Sequence, residues 1–96
     1  MKTSIANILD PDKLKIITPE SLRAYACNLG WHDTSERYRK HSVVYAGKDL
    51  PTILIPITQR LGDYATIVAG LINIFSEVSN KDPLEIYQEL RSELGI

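Results

Sequence analysis

Between Asp63 and Ser79 the apolar residues of DYATIVAGLINIFSEVS recur at the helical step rather than alternating. At about 100° per residue, Tyr64, Ile67, Val68, Leu71, Ile72, Ile74, Phe75 and Val78 share one broad arc, predicting an amphipathic helix with a wide core face. No charge falls between Tyr64 and Ser76. That run is shorter than the ~20 residues a membrane span needs, so the pattern predicts a buried core helix. Asp63 is placed to cap its amino end, and Asn80 tolerates the left-handed conformation that closes the other. The opposite face carries Thr66, Ala69, Gly70, Asn73 and Ser76, where a water-facing helix would carry Lys or Glu. Thr66, Ala69, Gly70 and Asn73 are therefore expected to form an interface, covered by another helix of this chain or of a partner.

Two further segments keep the helical period. Thr18-Pro19-Glu20-Ser21 combines a Thr cap, Pro at the first helical position and an early acid. Leu22, Tyr25, Ala26 and Leu29 follow as the apolar stripe, and Gly30 ends the helix. Asp82-Pro83-Leu84-Glu85 repeats the start signal before Ile86, Tyr87, Leu90 and Leu94. Between these helices the period is lost. RYRKH followed by SVVYA reads as strand material, GKDLP as a turn, and TILIPI as the best strand, with Pro56 marking an end not bonded on both sides. Trp31 is expected to anchor the joint between helix and sheet. The order predicts an α+β domain: a helix, a two- to three-stranded antiparallel sheet, a long core helix and a short C-terminal helix. Residues 1–17 read as an N-terminal arm and 18–96 as the single domain. In the arm, Ile5, Ile8 and Leu9 suit a helical face that Asp10-Pro11 stops, with Leu14, Ile16 and Ile17 extended against the domain; the equal alternative is a frayed arm over the first dozen residues.

Composition narrows the class without naming a chemistry. Apolar and charged fractions of 44% and 24% are those of a folded globular chain, which sets aside wholesale disorder. The net charge of −1 gives no global attraction to nucleic acid or anionic lipid. Cys27 is the only cysteine, excluding an internal disulfide, and its place in a last helical turn lacks the dipole that activates thiols. His32 and His41 are the only histidines, and neither has ligands at metal-binding spacing, so no metal and no cofactor is expected. With no signal or spanning segment, the expected setting is the cytoplasm, away from membranes. No P-loop, dinucleotide fingerprint or nucleophile elbow occurs.

The stretch LGWHDTSERYRKHSVVYAGKDLPTILIPI resembles the helix–GW–strand–strand–VP sequence of HicA-type toxins, across about residues 18–70. These are small double-stranded-RNA-binding-like domains that act as messenger ribonucleases. The family's Gly-Ser-His pattern entering the second strand supplies its catalytic histidine. Here the glycine is absent, Ser42 and Val43 stand near that place, and His41 lies a residue or more early. The resemblance makes His41 the one candidate general base, with Arg39 and Lys40 as its phosphate partners. Arg37, Tyr38, Arg39, Lys40 and Lys48 also offer phosphate contacts and one stacking ring. A second likeness links SVVY…ILIP…LGDYATIVAGLINIFSEVSNKDPLEIYQEL to N-terminal modules of larger uncharacterised bacterial proteins, which implies a building block. The leading expectation is a non-enzymatic bacterial interaction module, an adaptor or small subunit of an accessory or defence-type complex, binding a protein partner or a second copy. The alternative is an RNA-binding or ribonuclease-toxin-like domain.

Overall fold

The computed structural model describes residues 10–92. The expectations for Ile5, Ile8, Leu9 and Leu94 lie outside the described residues. The order is α1 (Pro11–Lys15), α2 (Pro19–Leu29), β1 (His32–Tyr38), β2 (Ser42–Gly47), β3 (Leu50–Pro56), α3 (Tyr64–Ser79) and α4 (Pro83–Ser92). The strands form one antiparallel sheet in the order β1-β2-β3, so the domain is α+β with a long core helix and a short C-terminal one.

Local signals set most helix ends. The Thr18 hydroxyl accepts from the Ser21 amide, and Pro19 occupies the first turn of α2. Gly30 closes α2 at φ 118°, a conformation that strains any side chain. Asn80 closes α3 at φ 58°, and the Asp82 carboxylate accepts from the Leu84 amide ahead of α4. Asp63 departs from its expected role. It precedes α3, but its carboxylate makes no capping bond and its backbone is not extended.

Two other expectations are corrected. Leu14 to Ile17 is not an extended strip: Pro11–Lys15 is helical, with Pro11 starting the helix and Leu14 and Ile17 buried. The run Arg37 to His41 is not continuous strand material. β1 ends at Tyr38 and the chain reverses through Arg39, at φ 57°. No glycine or asparagine advertises this turn; the pairing of Tyr38 with Ser42 and Arg37 with Val43 imposes it.

The core lies between the sheet and the helices. Val43 stands opposite Ile55 and Tyr45 opposite Ile53, and all four are buried. Above them Phe75 is fully buried, with Tyr25 at 5.3 Å and Trp31 edge-on at 5.6 Å between ring centroids. The Trp31 indole donates to the Pro51 carbonyl at 2.8 Å, which fixes the helix–sheet joint to β3. Gly47 sits where a Cβ would fall 2.7 Å from the Gly30 carbonyl oxygen, so the β2 end and the α2 cap meet backbone to backbone. Helix α1 is fastened through carbonyls. The Tyr64 hydroxyl donates to Ile17, Tyr87 to Lys13 at 2.9 Å, and Gln59 to Lys15 at 2.7 Å.

On α3 the buried face is rotated from the apolar arc. Tyr64, Val68, Leu71, Ile72 and Phe75 are buried as expected, and Ala69 and Ser76 join them. Both α1 and α4 pack on α3. Ile67 and Ile74 are left half-buried at the opposite margin, next to exposed Thr66 and Gly70.

This packing makes two stability outcomes checkable by urea titration. Phe75→Ala empties the ring cluster and should destabilise by about 3–5 kcal/mol. Asp63→Ala removes no capping bond and should change stability by no more than about 0.5 kcal/mol.

Candidate functional site

The β1–β2 turn gathers all but one of the basic residues expected to contact phosphate. Arg37, Tyr38, Arg39, Lys40 and His41 are all exposed, and the Arg39 guanidinium lies over the Tyr38 ring at 5.4 Å from its centroid. Lys48 is elsewhere, in the β2–β3 turn. The six residues of β2 separate the two turns by about 20 Å at the rise of a strand. The hairpin therefore presents one basic cluster and one detached lysine.

Beside that cluster is a cleft of about 340 Å³, lined by Tyr38, Arg39, His41 and Ser42 on one side and by Leu54, Leu61, Asp63 and Ile67 on the other. A serine, a histidine and an aspartate thus line one cleft. Among the described residues no side-chain hydrogen bond joins His41 to Ser42 or Asp63, so nucleophile, base and orienting acid are not pre-assembled. The His41 backbone carbonyl does have a role, accepting from the Ile57 amide at 2.9 Å and extending the ladder between β2 and β3. Among the described residues no group of three or more His, Cys, Asp or Glu could hold a metal ion, and no helix is long and apolar enough to cross a membrane.

The cleft runs on into a shallower groove of about 270 Å³ between β3 and α3. Leu54 and Ile67 line both, and Thr52, Thr66, Gly70 and Ile74 continue the groove. Of the four residues expected at an interface, Thr66 and Gly70 are in this groove and exposed. Ala69 is buried inside the chain, and Asn73 is half-buried. A Cβ built at Gly70 meets nothing within 4 Å, so none of the described residues covers that point. Thr52 and Leu54 were expected only as strand residues, and Ile67 and Ile74 only as part of the core face. Their signal is the excess width of the apolar arc on α3 together with a strand bounded by Pro51 and Pro56.

The groove borders a strand whose outer side has no strand partner among the described residues. Because Ile57 bonds to His41, the pairs Val43/Ile55 and Tyr45/Ile53, two residues apart in register, are the hydrogen-bonded pairs. The amide of Leu54 and the carbonyls of Thr52, Leu54 and Pro56 consequently point away from β2. The Pro51 carbonyl is turned toward Trp31, and across a trans peptide this sends the Thr52 amide outward too.

A third depression, of about 360 Å³, lies between α2 and α4 around Tyr25, Asn28, Lys81 and Glu89. The Tyr25 hydroxyl donates to Glu89 at 2.6 Å, and the Lys81 ammonium reaches both Glu89 oxygens at 2.9 and 3.2 Å. Hydrogen bonding from Tyr25, then from Lys81, holds the Glu89 carboxyl below its ordinary range. Burial, then Glu89, pushes the Tyr25 phenol up.

Comparison with protein-family models, with curated proteins and with solved structures finds no match to this chain.

The Glu89 network gives a pH outcome. A carboxyl depressed by folding adds stability that is fully present above its unfolded value and is lost as pH falls through the folded one. Urea midpoints should therefore fall below the ordinary carboxylate range more steeply in the wild type than in Glu89→Gln.

Proposed function

We propose that this chain is a protein-interaction module that works through the free edge of β3 and the adjoining face of α3. The observation carrying this reading is the meeting of an unpaired strand edge with an uncharged groove. The groove is formed by Thr52, Leu54, Thr66, Ile67, Gly70 and Ile74. Outward amides and carbonyls give a partner main-chain hydrogen bonds, and the flanking pockets take its side chains, as in recognition by strand addition. A solvent-facing edge is ordinarily blunted by charge, yet β3 from Leu50 to Pro56 carries none. Gly70, which lowers helix propensity by about 1 kcal/mol relative to Ala, keeps the groove floor open. An adaptor, or a small subunit of an accessory or defence-type assembly in a bacterium, is the role this surface fits.

The Tyr38–Arg39 stack beside Arg37, Lys40 and His41 supports a second reading, an RNA-binding or ribonuclease-toxin-like domain. The two readings separate by experiment. A photo-reactive side chain at Thr66, on the groove, should yield protein adducts in cells, whereas one at Lys40 should not. RNA binding that weakens steeply with salt and is lost in Arg39→Ala would favour the second reading. Growth arrest on expression, relieved by His41→Ala alone, would carry that reading as far as catalysis.

A further inference from the structure

Resting on the interaction reading above, we propose that the occupant of the β3 edge is a second copy of this chain, paired antiparallel about a two-fold axis at Ile53. The edge is complementary to itself. Outward amides stand at Thr52 and Leu54 and outward carbonyls at the same two residues and at Pro56, so a register that sets Thr52 opposite Leu54 of the other copy satisfies every outward donor in both. Ile53 then faces its own equivalent as a non-hydrogen-bonded pair, which its inward-turned amide and carbonyl require. Pro51 and Pro56 bracket the paired segment. Slipped to centre on Leu54, the edge would set Thr52 against Pro56, which has a carbonyl but no amide, so the register centred on Ile53 is the one in which Thr52 and Leu54 meet as complete two-bond pairs.

The helices follow from the same axis. A two-fold normal to an antiparallel pair keeps both long helices on one face of the joined sheet, each turning its β3-side margin to the other. That margin carries Thr66, Ile67, Gly70 and Ile74, with no charge and no side chain on Gly70 to hold the helices apart. Charge agrees along the strand as well. Antiparallel pairing brings the Lys48–Asp49 turn of one copy to the Pro56 end of the other, where Arg39 and Asp63 line the cleft. Each side of that contact then holds charges of both signs. The interface is isologous, the same patch serving both copies.

Sedimentation equilibrium of the full chain over a wide concentration range, with amide hydrogen exchange read by NMR at both ends of it, tests the proposal. The chain should dimerise. Amides of Thr52 and Leu54 should be protected in the dimer and exchange freely in the monomer, while those of Ile53 and Ile55 stay protected in both. Thr52→Pro removes one outward amide per copy and should weaken the dimer about tenfold or more. Gly70→Lys lies on an exposed helical position with open space around it, so it should weaken the dimer similarly while the diluted monomer melts no lower than wild type. A chain that stays monomeric throughout overturns self-pairing. So does a dimer whose Thr52 and Leu54 amides exchange freely, or one that both variants form as tightly as wild type. The two readings fail separately. A monomeric wild type whose groove still yields adducts with another protein sinks self-pairing alone, whereas a monomer with no groove adducts sinks both.

Discussion

Phe75 is the point on which the packing turns. Its ring touches Tyr25 from α2 and Trp31 from the joint before β1, and Trp31 in turn holds the Pro51 carbonyl of β3. One side chain in the last third of the long helix thus ties a preceding helix, the first turn into the sheet and the sheet's outer strand. The free edge inherits its geometry from this chain of contacts. By drawing in the Pro51 carbonyl, Trp31 sends the next amide to solvent. A core contact and a surface property are joined through a single peptide plane.

Much of this was legible in the residues. Thr18, Gly30 and Asn80 mark helix ends because capping is local chemistry, decided by a few neighbouring atoms. The apolar run of α3 declares its helix for the same reason, through its period. What stayed hidden depends on partners distant in sequence. The Arg39 turn lacks any turn residue and is held by strand pairing on either side. Asp63 has the right identity and place for a cap, but the chain approaches α3 at φ −104°, ψ 20°, which carries the carboxylate away from the first-turn amides.

The candidate surface shows the same division. An odd face with Gly70 could be read from composition, but which of its residues meet water could not. Ala69 went inward once α1 and α4 covered that side, and Thr66 and Gly70 were left facing β3's edge. The basic stretch Arg37 to His41 did fold into one cluster. Lys48, eight residues beyond Lys40, was carried to the far end of the hairpin by the length of β2.

The three side chains that fasten α1 have a bearing on how the molecule is made. Lys13, Lys15 and Ile17 offer their carbonyls to Tyr87, Gln59 and Tyr64, residues 74, 44 and 47 positions further on. During vectorial synthesis those carbonyls leave the ribosome first and meet their donors last. The three-stranded hairpin can form while the chain is still growing, since its contacts are closer in sequence. Helix α1 must wait, with Leu14 and Ile17 uncovered, until the segment through Tyr87 has cleared the exit tunnel. The earliest described element to be translated is thus among the later ones to be sealed.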